Sequence, residues 1–136
     1  MINLQSTIDK INSNPKLIFL IDGFGAILSV FLLGYVLVEV ESIIGMPPQT
    51  LYILAGIAGV FSIYSFFCSF RITKRWRAFL KVIALANLFY CLITFSLLFY
   101  HQSQLTTLGV VYFLLEIAVI AGLAFFELKV AAYELD

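Results

Sequence analysis

The sequence predicts an all-α membrane protein: an up-down-up-down bundle of four transmembrane helices with both termini in the cytoplasm. Three observations carry this. The 136 residues are 62% hydrophobic and only 12% charged, with a mean hydropathy of +1.06, whereas roughly a quarter of a soluble domain is charged. Four apolar runs, at about residues 17–40, 50–70, 78–100 and 105–128, each approach the ~20 residues with which a helix crosses a ~30 Å hydrocarbon core. Charge placement is the third observation. Threading the runs through a bilayer puts Lys10, Lys16, Arg71, Lys74, Arg75, Arg77, Lys81 and Lys129 at the ends on one side, and Glu39, Glu41 and His101 on the other. Positive residues mark the cytoplasmic side, so the expected location is the inner (cytoplasmic) membrane, crossed several times.

Each element follows in order. Over residues 1–14, Ile2, Leu4, Ile8 and Ile11 make a weak helical stripe among polar neighbours, suited to the inner membrane surface and ended by Asn14-Pro15. The first run follows two lysines as a signal peptide would, but it is too long and Asp22 interrupts it, so it reads as a retained anchor. Gly45 and the Pro47-Pro48 pair stop it, and Thr50 is placed to cap the second helix. The connection over 39–49 is apolar for a loop and is expected to pack on the bundle end. Arg71 to Arg77 forms a short turn with Trp76 at interface depth, and His101-Gln-Ser-Gln a shorter one. Such short connections force antiparallel neighbours. No repeat or second domain is visible in 1–136, and the basic turn suits anionic lipid headgroups, not nucleic acid.

Interfaces inside a bilayer are marked by small and polar residues, because lipid is as apolar as leucine. At 100° per residue, Asp22, Ala26 and Ser29 share a face of the first helix, and Ala55, Gly59 and Ser62 one of the second. Ala84, Asn87, Cys91 and Thr94 share a face of the third, and Gly109, Tyr112 and Glu116 one of the fourth. Ser29, Gly59 and Ser62 are therefore expected helix contacts. Ala118 and Gly122 form another small stripe on the fourth helix, roughly opposite Glu116, and suit contact with a second copy or another membrane protein.

Glu116 is the leading candidate for chemistry. A charged side chain at the bilayer centre costs ~3 kcal/mol even on insertion scales, so a carboxyl there suggests function and needs partners. Asn87, Tyr90 and Tyr112 are the expected ones, making a proton or cation site; the plainer reading is a glutamic acid that pins the fourth helix to the third. Asp22 lies nearer the basic end, where it can hydrate or pair with Lys81, Arg77 or Lys129; with Lys81 it makes the expected inner polar site. Glu39, Glu41 and His101 lack the spacing of a metal site, and no phosphate-binding loop, haem motif or catalytic triad occurs. No cofactor and no enzymatic activity are expected. Cys68 and Cys91 lie at different depths and outside any Cys-x-x-Cys, which argues against thiol oxidation.

Small multidrug-resistance transporters share the length and a membrane glutamate, but theirs lies in the first span within a motif absent here. The segments Asp22-Gly-Phe-Gly-Ala26, Gly45-Met-Pro47, Asn87-Leu-Phe-Tyr-Cys91 and Leu105-Thr-Thr-Leu-Gly109 through Tyr112-Phe-Leu-Leu-Glu116 resemble those of a family of small four-transmembrane-helix bacterial membrane proteins without an assigned activity. That resemblance implies the four-span architecture and no mechanism. From the residues, the expected function is an accessory or partner-binding subunit acting by helix association, as a homo-oligomer or with another membrane protein. The alternative is a minimal proton- or cation-coupled transporter or channel using Glu116.

Overall fold

The computed structural model describes residue 6 and residues 14–71 and 74–132. The stripe of Ile2, Leu4, Ile8 and Ile11 lies outside the described residues. Helix α1 runs Lys16–Glu39, followed by the single turn α2 (Glu41–Ile44), then α3 (Pro48–Phe70), α4 (Trp76–Tyr100) and α5 (Thr107–Ala132). The four long helices are 23 to 26 residues each and apolar enough to cross a membrane, so the four-helix membrane architecture is as the sequence predicts. Below, the end carrying Arg71 to Arg77 is the basic end and the opposite one the far end.

Local chemistry explains where the boundaries differ from the sequence reading. Thr50 does not cap α3: the helix starts two residues earlier, with Pro48 in its first turn, where a proline's missing N–H costs nothing. The Thr50 hydroxyl instead lies 3.4 Å from His101 Nε2. Thr106 fills the capping role for α5, accepting the Gly109 N–H at 3.0 Å. Trp76 is buried against the protein, with the Arg77 guanidinium 4.3 Å above its ring. Within α1, residues Leu32–Val36 form a π-helical turn.

The backbones approach most closely within two hairpins, α1 with α3 and α4 with α5. Apolar clusters close both ends of the bundle. Ile18, Phe19, Cys68, Trp76, Leu80, Ile83, Val130 and Ala131 meet at the basic end; Leu33, Leu37, Ile44, Met46, Leu51, Leu54, Leu98 and Phe113 meet towards the far end. The apolar loop after α1 does pack on the bundle, through Ile44 and Met46.

That loop is also stitched to α5. The Thr106 N–H donates to the Ile44 carbonyl at 3.1 Å, and the Thr106 hydroxyl reaches the Ile43 carbonyl. Two glycines make the approach possible. Gly45 has φ +92°, and a Cβ there would overlap the Gln104 carbonyl; one on Gly109 would overlap the Ile44 carbonyl. A side chain at either position forces the loop off the bundle.

Candidate functional site

Between the two apolar ends lies a layer of polar side chains in two groups. The first centres on Glu116 of α5. Tyr90 of α4 donates its hydroxyl to Glu116 Oε1 at 2.8 Å, and Tyr112, one turn back on α5, donates to Oε2 at 2.9 Å. Tyr90 is buried and held edge-on by Phe61 of α3, ring centroids 6.2 Å apart. Both carboxyl oxygens are thus engaged by neutral donors, as a carboxyl inside a bilayer requires.

This group stands in a cleft of about 380 Å³ between α1 and α5, within the usual size of small-molecule sites. Ala26, Ser29 and Leu32 of α1 line one wall, and Ile120 and Leu123 of α5 the other. Ala58 and Phe61 of α3, with Asn87 and Tyr90 of α4, make the floor. Exposed Gly25, Leu28, Leu115 and Val119 form the cleft's rim. Among the described residues no lysine, arginine or histidine lines the cleft; its charged-type residues are Asp22 and Glu116.

The second group lies toward the basic end. Asp22 of α1, only 4% exposed, accepts the Ser65 hydroxyl of α3 on Oδ2 at 2.5 Å and the Asn87 amide of α4 on Oδ1 at 3.1 Å. Glu127 of α5, 0% exposed, faces Asp22 and Asn87. Its carboxyl lies within hydrogen-bonding reach of Asp22 and Asn87. One residue from each long helix therefore converges at this point.

Of the residues singled out from sequence, Tyr90 and Tyr112 do meet Glu116, but Asn87 does not: its amide is committed to Asp22. The reason is directional. Side chains lean toward the N-terminus of their helix, so Asn87 leans to the basic end and Glu116, on an antiparallel helix, to the far end. Nor is Lys81 the partner of Asp22, for it is exposed at the surface while Ser65 and Asn87 hold the carboxyl. Ser62 is buried, and a Cβ on Gly59 would come within 3.8 Å of Val30, which places both in the bundle interior. Ser29 is a cleft residue. Ala118 and Gly122 are exposed, with nothing within 4 Å of a Cβ built on Gly122.

Ser65 and Glu127 were not singled out. The signal for Glu127 was present: Asp22 is six residues into α1 and Glu127 five from the end of α5, so at ~1.5 Å per residue the two are at similar height. A run ending at residue 128 places Glu127 at the water interface and hides this. No family model, no curated protein and no solved structure matches the chain.

Proposed function

We propose that this is a proton- or cation-coupled membrane carrier in which Glu116 is the binding carboxyl and the α1–α5 cleft the place where it meets its substrate. One observation supports the reading above others: a mid-membrane carboxyl, engaged by Tyr90 and Tyr112, standing in a ligand-sized cleft with an exposed rim. Ionisable residues within transmembrane helices generally mark ion, proton or substrate pathways. A carrier fits better than an open channel, because apolar side chains close the bundle on both sides of the polar layer. The positive-inside rule puts the basic end and both termini in the cytoplasm and the protein in the inner membrane.

The test is flux in liposomes. Wild-type protein is expected to give pH-dependent cation or proton flux, and Glu116→Gln to abolish it while inserting normally. Wild-type protein that moves neither protons nor any tested cation would sink the proposal.

A second reading is an accessory subunit that works by helix association. The exposed small pair Ala118 and Gly122 supports it, since open space beside Gly122 lets a partner helix approach closely. Gly122→Leu should then dissolve a homo-oligomer or a complex with another membrane protein without impairing insertion. An unaltered assembly in native mass spectrometry would count against that reading.

A further inference from the structure

We infer that the α1–α5 cleft binds a hydrophobic organic amine, with the ammonium head against Glu116 and the apolar body along the cleft walls. This rests on the reading of Glu116 as the binding carboxyl and names what that carboxyl binds. Size points away from a bare ion. A water takes ~30 Å³, so a single ion would leave most of the cleft's 380 Å³ unfilled, whereas a small organic molecule suits that volume. Ala26, Leu32, Ile120 and Leu123 give the walls an apolar surface, which matches an apolar body.

The head group follows from charge and hydrogen bonding. Among the described residues the cleft's charged-type side chains are two acids, with no base, so an anionic ligand finds no opposite charge there. Glu116 takes one tyrosine hydroxyl on each oxygen. An ionised carboxylate offers about four lone-pair sites, which leaves roughly two for the N–H groups of a ligand. Burying an ion pair is tolerable only where the remaining lone pairs are hydrogen-bonded, and Tyr90 and Tyr112 supply those bonds. A neutral hydroxyl head would meet the same oxygens without offsetting the charge. Phe61, Tyr90 and Tyr112 also line the cleft, and aromatic rings attract organic cations within ~6 Å. Asp22 is the poorer anchor, because Ser65 and Asn87 already donate to it and Glu127 stands beside it.

Access favours the same class of molecule. Apolar clusters close both ends of the bundle, while the exposed rim residues Gly25, Leu28, Leu115 and Val119 lie near the middle of α1 and α5. A ligand therefore enters from the side of the bundle, at a height that is hydrocarbon in a ~30 Å core. A bare charge is expensive at that depth, and an apolar body offsets part of the cost. Leu32, a wall residue, opens the π-helical turn of α1, and such turns are frequent at functional sites.

The experiment titrates full-length protein, in nanodiscs of zwitterionic phosphatidylcholine at neutral pH, with three probes that share one body: phenylbutylamine, phenylbutanol and phenylbutyrate. They present a cation, a neutral hydroxyl and an anion, and calorimetry against empty discs separates binding from partitioning. The amine should bind saturably, one per chain, about tenfold or more tighter than the alcohol, and the acid should not bind. Glu116→Gln should weaken the amine to the level of the alcohol. Gly25→Leu, which adds bulk at the rim, should weaken amine and alcohol alike. Equal binding of amine and alcohol would overturn the inference in favour of a cleft that takes any apolar chain, such as a lipid tail, and preference for the acid would overturn it outright. A greater loss of amine binding in Asp22→Asn than in Glu116→Gln would overturn the placement of the head at Glu116. Should Glu116→Gln fail to fold, the ranking of the three probes on wild-type protein still decides. Amine binding without flux would defeat the carrier and leave the site; proton or cation flux without amine binding would defeat the site and leave the carrier.

Discussion

Glu116 and Glu127 lie about three turns apart on one helix, yet their surroundings are opposite. Glu116 borders the cleft and has both oxygens engaged by tyrosines; Glu127 is wholly buried and meets another acid, Asp22, beside Asn87. A transmembrane carboxyl is thus not one kind of object. Where the acid borders a cleft, the protein supplies hydrogen bonds that hold it in place. Where four helices converge, it sets two acids against each other, an arrangement that one shared proton makes tolerable.

The sharpest way to break the comparison is Asp22→Ala, which strips Ser65 and Asn87 of their shared acceptor. We expect a loss of about 2–3 kcal/mol in reversible unfolding from mixed micelles, the largest effect of any single change in the polar layer. A loss no greater than that of Glu116→Ala would mean that the two groups are energetically alike. Glu127→Met should move stability the other way. It should gain about 1–2 kcal/mol, because an apolar side chain of similar volume replaces a buried acid; destabilisation would show that the contact between Glu127 and Asp22 holds the helices together.

Smaller effects are expected in the Glu116 group. Tyr90→Phe should cost about 1 kcal/mol and Tyr112→Phe about half that, within the modest range of hydrogen bonds inside membranes, with the buried Tyr90 the dearer to lose. The smallest change in stability belongs to Gly25→Leu. Nothing lies within 4 Å of a Cβ at that position, so unfolding should shift by less than ~0.5 kcal/mol. Flux should nevertheless fall about tenfold or more, because the new side chain enters the cleft rim. Unimpaired flux would move the transport path away from the cleft.

Much of the architecture was legible in the chain, and particular residues show why the rest was not. Tyr112 and Glu116 are four apart, so helical spacing alone brings them together, and Tyr90 was within reach on any antiparallel packing of the last two helices. By height alone Asn87 matches Glu116, but the lean of its side chain, reversed between antiparallel helices, sends it to Asp22. Lys81 sits close to Asp22 in depth, yet whether it faces the interior depends on the rotation of α4, and that rotation turns it to the surface.

The sequence by itself determined the four crossings, their antiparallel order and the presence of acids at membrane depth, because bilayer thickness and helical rise turn apolar run length directly into structure. Only the tertiary structure decided which acid meets which partner. That α1 and α5 leave a cleft at Glu116, while Asp22, Ser65, Asn87 and Glu127 converge from four helices, depends on helix rotation and packing. Lipid sets no hydrophobic penalty on either face of such helices, so side-chain fit and hydrogen bonding between them choose the arrangement, and neither can be read along a single chain.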